Sequence, residues 1–332
     1  MTVKKIIVIG GTGIIGSQLI SMLEKEDCLL WVISNDFSII SSGVSHIYCD
    51  VNDCDSFKKN LDQLGVDQGK FDCLVDLIQF RENHAKIVSE FSKENVGHTI
   101  ILSTTLVYDR FLFSSNPIDE SHKLAAIGTQ GDYVDGKLQV ESVWKKYRSN
   151  NYTILRTYHV LGYGSALGCC PLHNRDPQLI DKILKLETLR LFKGGLFFIN
   201  IIHPFDLSMF IHKLMNNPES FNQIYNAVNP SPIWVLDYYK LIAKLLKTEL
   251  KVKTLGLDEY KASGYGWLMT AMEHIYNSDK LIAATGYAPT FDLQACIMDA
   301  INGFKHTNAD QVRDRMNKGM KDFWEILDIN LY

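Results

Sequence analysis

The chain has 332 residues, of which 46% are hydrophobic and 22% charged, with a formal net charge of −4. That composition can bury a large core, in two domains or one large α/β unit, and it excludes a disordered or low-complexity chain. The acidic balance offers no field for nucleic acid and no polybasic patch for a membrane, and no apolar run reaches the roughly 18 residues of a membrane span.

Taken in order, "MTVKKIIVIGG" holds an apolar run, Ile6 to Ile9, too short for a signal peptide and ending in a glycine turn. "KKIIVIG" predicts a strand covered on both faces, and "GIIGSQLISMLEKE" a helix, with Ile14, Ile15, Leu19, Ile20 and Leu23 near helical spacing. "CLLWVIS", "VSHIYCDV", "FDCLVDLI", "HTIILST" and "YTILRTYHV" read as further strands, with "HAKIVSEFSKEN" and "KLQVESVWKKYRSN" as helices between them. Such alternation predicts βαβ units, hence an α/β fold with a doubly wound parallel sheet. After about residue 165 the pattern loosens. "GCCPLHNRDP" reads as a loop, "PQLIDKILKL" and "WVLDYYKLIAKLLK" as helices, and "LRLF" and "FFINII" as short strands. The expected division is a nucleotide-binding domain over 1–165 and a smaller mixed α/β substrate domain over 166–332, with segments near 195–230 returning to the first sheet. The C-terminal "NADQVRDRMNKGMKDFWEILDINLY" predicts an amphipathic surface or interface helix.

The seven cysteines show no zinc-ligand spacing, and their odd number speaks against a secreted disulfide framework. The adjacent Cys169 and Cys170 read as packing rather than redox chemistry. No metal is expected, and the setting is soluble, reducing and cytoplasmic.

The first turn carries the first chemistry. Gly10, Gly13 and Gly16 lie three apart, directly after a strand and before a helix. There the backbone can approach a pyrophosphate, whose charge meets the N–H groups of Ile14, Ile15 and Gly16 at the helix start. The competing reading is a tight turn with no ligand. An acidic residue ending the second strand would hold the ribose 2′-hydroxyl of NAD. Asn35 and Asp36 compete for that place, and no Lys or Arg occurs between Lys25 and Lys58 to pair the 2′-phosphate of NADP. NAD is therefore expected rather than NADP. Asp50 and Val51 would flank the adenine, with a helix N-cap as the alternative for Asp50. Leu77, which follows "DCLVD", completes the expected cofactor set.

Two stretches place a tyrosine four residues before a lysine: "DYVDGK", with Tyr133 and Lys137, and "YNSDK", with Tyr276 and Lys280. About one such match arises by accident in a chain of this composition, so spacing alone cannot choose. Together with "GGTGIIG", "DCLVDLI", "LSTTLVYD", "ILRTYHVLGYG", "IIHPFDLSMFI" and "NSDKLIAATGYAP", however, "DYVDGK" resembles the extended short-chain dehydrogenase/reductases, the NAD-dependent epimerase/dehydratase family, over most of the chain. The resemblance implies a Rossmann domain and a catalytic Thr104, Tyr133 and Lys137. Tyr276–Lys280 would fall in a non-catalytic segment. It also implies a homodimer through the helix carrying Tyr133. Free tyrosine titrates near 10, too high for a base at neutral pH, so a lysine one helical turn along would supply charge that favours phenolate. Lys137 would also hold the nicotinamide ribose. Gly136, beside it, would let cofactor or a partner helix come close.

Three positions depart from the family. Dehydratases carry Asp-Glu directly after the catalytic Thr; here stand Thr105 and Leu106, and leucine is no acid or base. An asparagine that touches the diphosphate is replaced by His159, and an arginine before the "IIHPFDL" motif by Ile199. Arg175, Arg190 or Lys193 could serve a phosphate instead. Thr105, His159 and Arg190 are thus the substrate-side candidates, while His203 and Asp206 read as fixing a strand-to-helix turn. The resulting expectation is an NAD-dependent epimerase or reductase acting on a sugar-like small molecule, with or without a linked nucleotide. Its rival is a non-catalytic dinucleotide-binding or RNA-associated protein on the same fold.

Overall fold

Strand β1 (Lys4–Ile9) forms because its apolar side chains divide between two covered faces. Ile6 and Val8 pack on one side, Ile7 and Ile9 on the other, and all four are buried. Each such burial contributes roughly 1.5–3 kcal/mol. The structure, a computed structural model, describes residues 3–36, 41, 43–109, 117–146, 151–169, 172–173, 175–262 and 275–306. The C-terminal helix expected over 308–332 and Cys170 lie outside the described residues.

The chain continues through α1 (Ile14–Leu23), β2 (Cys28–Ser34), β3 (Ser45–Tyr48), α2 (Cys54–Gln68), β4 (Phe71–Asp76), α3 (Glu82–Asn95), β5 (Val96–Thr104) and α4 (Asp132–Lys146). Then come β6 (Tyr152–Thr157), β7 (His159–Val160), α5 (Leu179–Leu184), β8 (Leu189–Phe192), β9 (Phe198–Ile199), β10 (Ile201–Ile202), α6 (Pro204–Leu214) and β11 (Gln223–Ala227). The last elements are β12 (Ile233–Trp234), α7 (Val235–Leu245), β13 (Val252–Leu255), α8 (Leu257–Ala262), α9 (Asp279–Thr285) and α10 (Leu293–His306).

Seven strands make one parallel sheet in the order β11-β6-β5-β4-β1-β2-β3. Helices α1 and α6 pack on the Ile6/Val8 face with Leu281 of α9, and α2, α3 and α4 cover the Ile7/Ile9 face. This is a doubly wound Rossmann sheet. The strand order reverses between β1 and β4, so a crevice opens at their carboxyl ends, where such folds bind ligands. A separate core gathers α5, β8, β9, α7, β13 and α10 around Tyr238, Tyr239 and Ile242. Its strands pair only in twos: β8 with β13, β9 with β12, and β10 with β7. Among the described residues no helix is long and apolar enough to cross a membrane.

Several expected elements are cut shorter. "YTILRTYHV" is two strands, because the ladder with β11 ends at Thr157 and His159 then pairs with Ile201 outside the main sheet. "FFINII" is also two. Asn200 turns its buried amide to Asn229 O at 2.8 Å and accepts from Tyr276 N–H at 3.1 Å, so its side chain ties loops together between two short pairings. The N-cap of α2 is Asp53, which accepts from Ser56 N–H at 3.2 Å. Asp50 instead accepts from Asn52 N–H at 2.9 Å, which corrects its alternative reading as the cap.

Candidate active site

The residues singled out for the cofactor, with Thr104, lie at or just beyond the carboxyl ends of β1 to β5 or on α4. Gly10 follows β1 with φ +80°, and its N–H reaches Ile33 O at 2.9 Å, tying the turn to β2. A Cβ on Gly16 would lie 2.5 Å from Gly11 Cα and 2.6 Å from Gly10 O, so only glycine lets α1 sit this close to the turn. At Gly13 the situation is opposite. An added Cβ would meet nothing nearer than Gly10 O at 3.5 Å, and it would intrude on the open space before the helix. Gly13 caps α1 without a side-chain hydrogen bond, so no cap side chain covers the first-turn N–H groups of Ile14, Ile15 and Gly16. Leu77 enters the same crevice edge, its N–H on Ile9 O at 3.1 Å. Half-buried Asp36 and exposed Asn35 end β2, while exposed Asp50 and half-buried Val51 follow β3. These residues fit a dinucleotide: an uncapped helix N-terminus, a backbone surface bare of side chains, and an acidic group where a ribose hydroxyl would lie.

Thr104 is the last residue of β5. Its Oγ1 accepts from Leu106 N–H at 3.2 Å, which leaves the hydroxyl proton for Tyr133. Tyr133 sits in the first turn of α4, where the preceding loop is pinned from two sides. Gln130 Nε2 donates to Leu106 O and Tyr108 O at 2.8 and 2.9 Å, and Asp135 accepts from Gly128 N–H at 2.9 Å. Burial raises the phenol's pKa; the Arg175 charge and the Thr104 hydrogen bond oppose that rise. Arg175, in the loop before α5 with φ 53°, is thus the arginine whose charge acts on this tyrosine. Arg190 is exposed on β8 beside Lys253, and its charge acts on Glu259 instead.

Lys137 is buried on α4. Its Nζ donates to Gln79 O at 2.7 Å and Leu102 O at 2.9 Å, and it lies 4.2 Å from the centre of the Phe80 ring. Burial pushes its pKa down to about 7, against the Asp76 and Glu141 charges that hold it up. Burial thus works against the positive charge by which Lys137 would favour phenolate. Gly136 also finds its reason within the chain: a Cβ there would lie 2.4 Å from Phe80 O. Gly136→Ala should therefore lose about 1–3 kcal/mol by overpacking, even though alanine gains about 1 kcal/mol of helix propensity. Urea unfolding checks this, and a stabilised variant would refute the close approach.

Thr105 and Thr157 each bury a hydroxyl that finds no hydrogen-bond partner among the described residues. Thr157 ends β6 directly opposite Thr104 in the ladder. His159, on β7, packs its ring against Tyr158 at 4.4 Å, and Ile199 is wholly buried on β9. His203 caps α6 through Nδ1, 3.1 Å from Phe205 N, and its ring stacks on Phe291. Asp206 accepts from Tyr287 Oη at 2.6 Å and Phe291 N–H at 3.1 Å, so both residues pin the turn into α6. The second tyrosine–lysine pair belongs to packing. Tyr276 is buried against Tyr108, and Lys280 donates to Ile224 O at 2.8 Å.

The sequence reading missed a set of buried polar residues behind Lys137: Asp76, Gln79, His84, Glu141 and Arg156. A signal was present. Asp76 closes an apolar strand, where a carboxylate must be compensated, and Lys137, Glu141 and Lys145 follow one another at helical i, i+4 spacing.

A model described as the NAD dependent epimerase/dehydratase family matches residues 80–227. No curated protein matches. Among solved structures, an epimerase from Methanothermobacter thermautotrophicus is similar at TM-score 0.74 and 16% identity, over 94% of this chain and 95% of that one. UDP-glucuronic acid 4-epimerase from Bacillus cereus, in complex with UDP-glucuronic acid and NAD, is similar at TM-score 0.71 and 19% identity, over 91% and 99%. dTDP-glucose 4,6-dehydratase from Bacillus anthracis, in complex with NAD, is similar at TM-score 0.71 and 14% identity, over 92% and 97%. These identities speak for the fold. The family model thus matches 80–227, a little under half of the chain, and the solved structures share the fold of the whole of it.

Proposed function

We propose that the protein is an NAD-dependent epimerase or reductase acting at a hydroxyl or keto carbon of a sugar-like, nucleotide-linked substrate, with Tyr133 as the acid/base. The observation that carries this reading is the meeting of Thr104, Tyr133 and the Arg175 charge at the carboxyl edge of the sheet, with Lys137 one helical turn along. When bound, NAD supplies the hydride chemistry and, in its oxidised form, a positive ring charge. Tyr133 takes the proton from the substrate hydroxyl and returns it to the reduced oxygen. Thr104 hydrogen-bonds that oxygen and, through its own proton, favours the phenolate. Lys137 spends two of its three donors on carbonyl oxygens, and the third serves a cofactor hydroxyl.

The buried hydroxyls of Thr105 and Thr157 support a polyhydroxylated ligand, since each unpaired group costs about 1–3 kcal/mol until something hydrogen-bonds it. Leu106, where a dehydratase needs a carboxyl, argues against elimination of water. Arg175 is better placed than Arg190 to meet an anionic group of the substrate. Asp36 and the absence of lysine or arginine over residues 26–57 favour NAD over NADP. A homodimer through α3 and α4 would join polar surfaces, because Lys86, Glu90, Asp132, Ser142 and Lys146 are exposed there. Such a dimer weakens with added salt.

Calorimetry with NAD and NADP, followed by incubation with UDP-glucose and UDP-glucuronic acid, tests the proposal. NAD should bind more tightly, and either a C4 epimer or net NADH should accumulate. A protein that binds neither dinucleotide would overturn the reading of the glycine turn and of the site together.

A further inference from the structure

Behind Lys137 lies a continuous chain of buried polar groups. Asp76, the last residue of β4 and fully buried, accepts from Ile78 N–H through Oδ1 at 3.0 Å. Its Oδ2 accepts from Gln79 Nε2 at 2.9 Å and lies 2.9 Å from His84 Nε2. Gln79 is fixed at its other end too, where Oε1 accepts from Trp144 Nε1 at 2.8 Å. The Gln79 carbonyl then receives the Lys137 ammonium at 2.7 Å. The end of β4 and α4 thus meet in one hydrogen-bonded chain, with His84 of α3 lying against its Asp76 end, and these side chains are 0–4% exposed.

Among the described residues two charges act on Lys137: Asp76 from β4 and Glu141 from its own helix. His84 of α3 lies against Asp76, and Tyr133 precedes Lys137 by one helical turn. Glu141 is already matched. It takes two hydrogen bonds from Arg156 of β6, at 2.9 and 2.6 Å, one from Lys145 at 3.1 Å, and one from Ser103 at 2.8 Å. Among the described residues Asp76 has no lysine or arginine hydrogen-bonded to it.

We propose that Asp76 is the buried counter-charge that keeps Lys137 an ammonium, and that Gln79 is the arm through which it fixes where that ammonium sits. Asp76 is then a positioning residue for the cofactor-side lysine, and its functional value rests on the role proposed for Lys137 above. The direction of its influence on Lys137, upward against burial, agrees. A buried ammonium without a compensating charge sheds its proton rather than staying ionised.

The test reads Lys137 directly. In protein carrying 13Cε-lysine, the Lys137 resonance is assigned by its loss in Lys137→Arg, and its titration midpoint is compared between wild type and Asp76→Asn. The midpoint should fall by about one pH unit or more, a tenfold loss of ammonium at a given pH above it. NAD affinity should weaken several-fold at neutral pH and recover in mild acid. Gln79→Met keeps both charges, so it should leave the midpoint near that of wild type while weakening NAD at every pH. An unmoved midpoint in Asp76→Asn overturns the proposal. Should that variant not fold, Asp76→Asn combined with Lys137→Met should fold, because the ammonium needing the carboxylate is gone. Failure of the double variant as well would make Asp76 merely architectural and would refute the idea. The midpoint shifts or does not shift whether or not any sugar nucleotide is turned over, so the catalytic reading and this one fail separately.

Discussion

Tyr133→Phe should lower turnover about 10²–10⁴-fold, the range typical of a lost general acid/base, while NAD affinity stays within about twofold. Phenylalanine keeps the ring and its packing against Phe80, 5.9 Å away between centroids, and removes only the hydroxyl that Thr104 addresses. The fold around it should therefore persist, and circular dichroism with calorimetry would show that. Near-normal turnover in this variant would end the assignment of Tyr133 as the proton carrier. Arg175 sharpens the experiment through its sign. Its charge favours phenolate, so for the step in which Tyr133 takes a proton Arg175→Met should move the rising, acidic limb of the pH–rate profile to higher pH. Were Arg175 only a loop residue, the profile would fall in height without moving.

Lys137→Met should abolish turnover and also change how stability depends on pH. The folded protein holds this ammonium at about 7, well below its ordinary value of 10.5. Between those values the unfolded chain binds more protons than the folded one, so wild-type stability gains a contribution that rises with pH. The slope is at most about 1.4 kcal/mol per pH unit. Methionine carries no such term. Urea unfolding at about pH 6.5 and about pH 9.5 should therefore show wild type gaining on the variant by a few kcal/mol as pH rises. Parallel pH dependences would show that Lys137 is not held down by burial. The same site would then lose its main cost of being built.

Much of this was legible in the residues. Continuous apolar strands, as in "KKIIVIG", reveal a sheet covered on both sides, and the glycine turn reveals where its ligand edge lies. Tyr133 was separable from Tyr276 only through "STTLVYD", because spacing does not record which strand end a helix will face. What stayed hidden depends on distant partners. Asn200 interrupts a strand because residues 229 and 276 come to meet it, and neither is near it in sequence. Arg175 acts on Tyr133 from a loop whose backbone sits at positive φ, a conformation no local pattern announces. The weakened charge of Lys137 follows from how completely α4 is covered, which composition does not tell. Gly136 was noticed for the right property, its missing side chain, yet the group that approaches is the chain's own Phe80 carbonyl.

Strand β11 has a consequence for how the molecule comes into being. It lies beside β6 in the same parallel ladder, although some 66 residues separate Thr157 from Gln223, and α6, which packs on α1, falls within that interval. A nascent chain that has emerged only as far as residue 165 leaves β6 as a bare edge and one flank of α1 open to water. Such an edge invites pairing with other chains, so the early product is a client for chaperones rather than a finished module. The seven-stranded sheet therefore becomes whole late in synthesis, once residues beyond 227 have left the ribosome. Severing the chain between the two halves should yield aggregate in place of a small dinucleotide-binding protein.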